Sequence, residues 1–197
     1  MSTSRSPYHH GDLRAACLRA AMELLEEGGA TALSLRAVAR RAGVSPAAPY
    51  RHYADRDALI SAVGAVGYRE LAEQLAAAHP SPSTADDFGA IAVAYVQFAL
   101  QRPALFRVMF AEPCDTDNSE RVAATNAISE YVSAIVQQSF PSFDTEALST
   151  AAWALVHGLA FLHLDGKLDA STPDVVSNRV RAAVHAVLTV SGAAGGV

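Results

Sequence analysis

Apolar residues recur three and four apart along almost the whole chain, and no stretch alternates polar and apolar positions between hairpin turns. Such spacing gathers side chains on one face only in a helix, so the pattern confines the chain to an all-α architecture. The breaks are as informative as the faces. A first stripe, Leu13, Ala16, Cys17, Ala20, Leu24 and Leu25, follows Asp12, an expected N-cap, and stops at Gly28-Gly29. Ser34 offers a cap to a short helix over 34–42, with Leu35, Val38, Ala39 and Ala42 inward and Gly43 closing it. Ser45 is then expected to cap a third helix over 45–53, with Pro46 at the first position, where a missing N–H costs nothing. From Asp55 a longer helix turns Leu59, Ile60, Val63, Val66 and Leu71 inward until "AHPSPST" breaks it at 78–84. Further helices are expected at roughly 84–101, 103–111, 118–139, 144–167 and 173–191.

With 51% apolar residues in 197, the chain can bury a substantial core. The expected division is an N-terminal unit over 1–56 and a larger helical unit over 57–197, with helix 55–78 connecting them. Cys17 and Cys114 lie far apart and have no metal-ligand spacing, so neither a disulfide framework nor a zinc cluster is expected. No cofactor is implied. The opening "MSTSRSPYHHGD" has no apolar signal segment, and the runs "AIAVAYV" and "HGLAFLHL" are too short, or too interrupted by histidine, to span a bilayer. The expectation is a soluble cytoplasmic protein with no membrane partner.

The net charge of −5 conceals an asymmetry. Residues 1–56 carry eight arginines against five acids, whereas 57–197 carry seven bases against fifteen acids. The first segment is the one suited to a polyanion. Within it, helix 34–42, a tight turn at Gly43 and helix 45–53 have helix-turn-helix spacing, with Gly43 free to take the left-handed backbone and Val44 to plug the crevice. Pro49 and Tyr53, four apart, face the core, and Pro46, Ala47, Tyr50 and Arg51 then face outward. Tyr50 and His52 have the chemistry to hydrogen-bond phosphates, and Arg56, in the first turn of the next helix, adds a phosphate clamp. Arg36 and Arg51 are long enough to reach guanine O6 and N7, and Arg36 ranks first as a base reader.

The stretch "TALSLRAVARRAGVSPAAPYRHYADRDALISAV" closely resembles the DNA-binding segment of TetR-type transcriptional regulators, over residues 10–70. The resemblance implies that Tyr50, His52 and Arg56 (where lysine is usual) contact phosphates, and that Ser34 and Arg36 stand at contacting positions of the preceding helix. Ser45, Pro46, Ala47 and Arg51 complete the expected DNA-facing set. One departure is Pro49, where the family usually has leucine. Proline there removes the bond to the Ser45 carbonyl, so the helix is expected to survive with a distorted first turn. Pro49 either braces that turn near the groove or simply fills an apolar contact.

Further on, "WALVHGLAFLHLDGKL" resembles the C-terminal domain of one TetR-type subgroup through its W-x-x-x-H-G spacing. Trp153, His157 and Phe161 fall on one helical face and can meet Leu105, Phe106, Met109 and Phe110 of "PALFRVMF", with Phe98 beside them. Family logic makes this a pocket for a small apolar effector, with His157 as its polar handle. The competing reading is plain core, with Gly158 admitting a neighbouring helix. No His-Glu-x-x-His, Cys-His or nucleophile-elbow pattern points to catalysis.

A regulator of this type implies a homodimer on palindromic double-stranded DNA, most often a repressor whose effector changes the spacing of the reading heads. The expected dimer surface uses Leu155, Leu159 and Leu162 of helix 144–167 and Val176, Val180, Val184 and Val187 of helix 173–191. The alternative is an all-α small-molecule-binding protein or enzyme with no role on DNA.

Overall fold

The computed structural model describes residues 10–79, 81–110, 115 and 117–194, without the side chains of 10–12 and 189–194. Among the described residues there are eight α-helices and no strand: α1 (His10–Gly28), α2 (Leu35–Arg41), α3 (Arg56–Ala78), α4 (Ala85–Gln101), α5 (Pro103–Phe110), α6 (Ser119–Ser139), α7 (Thr145–Leu164) and α8 (Pro173–Ala194). Most begin where a side chain can satisfy the first free amides. Ser34, Asp55, Asn118 and Asp144 each accept from a backbone N–H two or three residues on. Thr84 and Asp87 form a reciprocal capping box at α4. Backbone hydrogen bonds to Ser83 and Thr84, with the His79 imidazole nearby, hold the Asp87 carboxyl down at about 2.

Four expectations about the helices and their bounds change. Helix α1 starts at His10, so Asp12 lies inside it and is not its cap. Helix α7 stops at Leu164 rather than 167, because Gly166 turns left-handed (φ 66°) and the Leu162 carbonyl accepts from Lys167 and Leu168. Helix α8 runs on to Ala194.

The fourth change is the largest: no α-helix forms over 45–53. Pro46 and Pro49 have no N–H, so the Ser45 carbonyl takes the Ala48 amide (2.9 Å) three residues on. Arg51 donates to Ala48 (3.2 Å) and His52 to Pro49 (2.9 Å), and Pro49–Arg51 is a single 3-10 turn without a side-chain cap. Ser45 therefore serves through its carbonyl. Pro49 and Tyr53 are buried as expected, and Gly43 takes φ 68°.

Helix α3 is the axis of the subunit. From Leu59 to Ala65 every residue is buried, since α1, α5 and α6 surround it. Gly67 lets α5 approach: a Cβ there would lie 2.5 Å from the Met109 sulfur. Further on, α4 packs between α7 and α8. Against α4 lie Val176, Val180 and Val184, all buried in the subunit's own core. This valine stripe is thus not a free dimer surface, and Leu159 is nearly as buried, at 8% exposure. Leu155 is half-buried, while Leu162 and Val187 are exposed.

Helix α7 is long and apolar enough to cross a membrane by length and composition, contrary to the expectation from uninterrupted runs. Alanines, leucines and few charges raise its mean hydropathy although Ser149, Thr150, His157 and His163 interrupt it. Cys17 is buried and free, while Cys114 lies outside the described residues.

Candidate functional site

The first surface is built on α2 and the turn after it. Leu35, Val38 and Ala39 bury one side of α2, which leaves Arg36 and Arg40 exposed one turn apart on the other. The left-handed Gly43 then reverses the chain so that Pro46, Ala47, Tyr50, Arg51 and His52 are exposed as well. Tyr50 is 52% exposed, unusual for so large a ring without a partner. Neither Arg36 nor Arg40 makes an ion pair among the described residues, whereas Arg41 is tied to Glu23 (3.2 Å) and Glu27 (2.9 Å) on α1. Ser34 spends a lone pair on the Ala37 amide and keeps its hydroxyl proton.

Arg56, expected as a phosphate clamp, also bonds within the subunit. Its Nε donates to the Leu33 carbonyl (3.2 Å) and its Nη2 to the Ala30 carbonyl (2.9 Å), so the guanidinium ties the start of α3 to the loop before α2. Tyr53 anchors the turn from the other side: its hydroxyl donates to the Arg14 carbonyl (3.4 Å), and the Arg14 guanidinium lies 6.0 Å over its ring. The result is a rigid, proline-braced edge with cations and hydrogen-bonding aromatics outward and no carboxylate between 28 and 54.

The second site lies among α3, α4, α6 and α7, with α8 closing one side and α5 the other, where two cavities of about 260 and 390 Å³ share Tyr95, Ile128, Val132 and Trp153. Only Met109, Phe110 and Trp153 of the expected pocket residues line them. Phe98, Leu105, Phe106, His157 and Phe161 do not. The Phe106 ring lies 4.8 Å from Phe110, 5.5 Å from Phe161 and 5.8 Å from His157, and the rings fill the space that the sequence left open. His157 Nδ1 and the Tyr95 hydroxyl share a hydrogen bond at 3.0 Å. Burial holds the imidazole below its ordinary value and pushes the Tyr95 phenol up, so both rings are neutral.

Sequence reasoning missed the polar lining of the larger cavity: Tyr68, Arg121, Thr125, Ser129, Ser149 and Thr150. A signal existed, since Arg121, Thr125 and Ser129 recur every fourth residue, but a solvated helix face reads the same way.

Both segments match family models. Residues 18–63 match that of the bacterial regulatory proteins of the tetR family, and residues 88–187, just over half of the chain, match the tetracyclin repressor-like C-terminal domain. An HTH-type transcriptional regulator of Mycobacterium tuberculosis is 35% identical over 92 residues, which cover 45% of this chain and 39% of that protein. The match thus spans about two-fifths of the curated relative's length. A solved protein of unknown function from Rhodococcus sp. RHA1 is 34% identical with a TM-score of 0.76, covering 92% of this chain and 98% of the other. A tetR-family regulatory protein from Rhodococcus RHA1, 21% identical, shares the fold with a TM-score of 0.65 over 88% and 95% of the two chains. The proline-braced turn at the N-terminus and the cavity-bearing helical domain behind it thus both carry one family's pattern, and the chain belongs to the TetR family of bacterial regulatory proteins.

Proposed function

We propose that the chain is a ligand-responsive, DNA-binding transcriptional regulator, a cytoplasmic repressor released from a palindromic operator when a small, largely apolar effector enters the α3–α4–α6–α7 cavities. The observation that carries this reading is the exposed row Arg36, Tyr50, Arg51 and His52 on one rigid edge, with Arg40 beside it. In the proposed complex Tyr50, His52 and Ser34 bond phosphates and fix register, while Arg36 and Arg51 reach base edges. Pro46 and Ala47, small and outward, let the backbone approach the groove. Arg56 acts behind the edge by holding it in place.

Two such edges must be held at the spacing of adjacent major grooves, about 34–36 Å, which calls for a dimer. The proposed dimer face is the outward stripe of α7, Ala154, Gly158 and Leu162, with Ala182 and Ala186 of α8 beside it, while Ala151, Leu155 and Val187 line the smaller cavity at its edge. Among the described residues nothing lies within 4 Å of a Cβ placed on Gly158, which leaves space there for a second chain to approach closely. That face accounts for the apolarity of α7 without a membrane.

Selective enrichment of random duplexes by the purified protein tests the proposal. The expected product is a palindrome with salt-sensitive affinity. Failure to retain any duplex, with binding of small apolar compounds intact, favours the alternative of a binding protein with no role on DNA.

A further inference from the structure

The larger cavity has one charged side chain among its described lining residues, Arg121, and no carboxylate. Four other arginines that bridge helices have acids to meet: Arg14 meets Glu120, Arg41 meets Glu23 and Glu27, Arg102 meets Glu26 and Glu70, and Arg107 meets Asp165. Arg121 makes no ion pair among the described residues. Its Nη2 donates to the Met109 carbonyl (2.9 Å), its Cζ lies 5.6 Å over the Tyr68 ring, and its Nη1 is buried without a hydrogen-bond partner. The side chain is part-buried, and a guanidinium nitrogen held out of water without a counter-ion leaves room for an anion from outside.

The setting is built to hold that cation still. Gly64 of α3 supplies the space, since a Cβ there would lie 3.0 Å from Nη1. The Arg121 amide is capped by the Asn118 side chain (3.0 Å), in the first turn of α6, where the helix end adds a positive field. Ser129 on the same helix, and Ser149 and Thr150 on α7, line the cavity with hydroxyls. The Ser149 hydroxyl is buried and has no partner. Across Tyr95, Ile128, Val132 and Trp153 the second cavity continues with Leu75, Ile91, Ile135 and Leu155, and no charged residue is among its described lining.

We propose that Arg121 anchors the head group of an amphipathic anion, an apolar carboxylic acid whose body extends into the adjoining apolar cavity. The inference rests on the reading of these cavities as the effector site. A carboxylate matches the guanidinium in geometry and charge, and the hydroxyls of Ser129, Ser149 and Thr150 take its remaining lone pairs.

The test uses the full chain and its single tryptophan, Trp153, which lines both cavities and reports binding through its own fluorescence. Decanoate and decan-1-ol, equal in tail and different in head, are titrated into the wild type and into Arg121→Met. The expected result is a preference for decanoate of about tenfold to a hundredfold in the wild type, the value of one charged hydrogen-bonded contact, and its loss in Arg121→Met with decanol affinity retained. Equal affinity for acid and alcohol in the wild type overturns the anion site and leaves the cavity reading standing. Binding of neither overturns both. If Arg121→Met does not fold, Arg121→Lys takes its place and is expected to keep the preference in reduced form. A preference that survives intact in a folded Arg121→Met assigns the anion to other residues and overturns the proposal.

Discussion

The Nη2 of Arg14 lies 2.8 Å from each carboxylate oxygen of Glu120, and this pair joins the first helix of the N-terminal domain to the first turn of α6. Glu120 adjoins Arg121 of the cavity, and Arg14 lies over Tyr53, which anchors the 3-10 turn. The Glu120–Arg14 pair and the Arg14–Tyr53 contact thus link the helix that carries Arg121 to the residue that anchors the turn of Tyr50 and Arg51. The side chains are 42% and 44% exposed, so the pair contributes only about 0–1 kcal/mol to stability. Its proposed role is transmission: Glu120→Gln should leave folding and effector-free operator affinity within a few-fold of wild type but weaken release by the effector. Full release in Glu120→Gln, measured by anisotropy of a labelled operator, would place the coupling elsewhere.

Readers and anchors on the DNA-facing edge should separate. Arg36→Ala is expected to cost about 1–3 kcal/mol at the preferred site and relax preference at one base pair, whereas Tyr50→Phe should weaken all duplexes alike. Affinities across a panel of single-base operator variants decide, and a uniform loss for Arg36→Ala removes it from base reading.

The two faces of the C-terminal helices call for opposite outcomes. Leu162→Asp, on the exposed stripe of α7, should yield a folded monomer with weakened palindrome binding. Val180→Asp puts a charge into a fully buried position against α4 and should destabilise the subunit itself by more than about 3 kcal/mol. Solution mass and thermal melting are the measurements. A folded, dimeric Leu162→Asp variant with full operator affinity would move the interface off α7.

Acid should weaken the fold in a defined window. His163 is buried, and its desolvation, with the Arg179 charge nearby, holds the imidazole below its ordinary value, as burial does for His157. A lowered histidine binds its proton more readily when unfolded, so its contribution is complete above the unfolded value of about 6.5 and declines as pH falls toward the folded one. The melting temperature should therefore drop between pH 7 and 5, and His163→Phe should flatten that slope. An unchanged slope in the variant would assign the acid sensitivity to other groups.

The helices were legible because their ends carry local chemistry. Ser34, Asp55, Thr84, Asn118 and Asp144 cap where their side chains and positions require. The 45–53 segment was misjudged because two prolines remove two amides, and their joint effect on the bond pattern exceeds a local distortion. Periodicity also located the valine face of α8 without saying what it meets; α4 is a neighbour remote in sequence, and only the fold brings them together. The cavity was half legible for a related reason. The aromatic stripe was visible, but rings that attract one another fill their own space, and the opening formed beside the polar row on α6.

The most direct measurement is the affinity of the purified chain for its enriched duplex across a salt series. The account predicts that log affinity falls linearly with log salt, that two chains bind each palindrome, and that Arg51→Ala lowers the affinity. Absence of salt-dependent binding to any duplex by a folded dimer would contradict it.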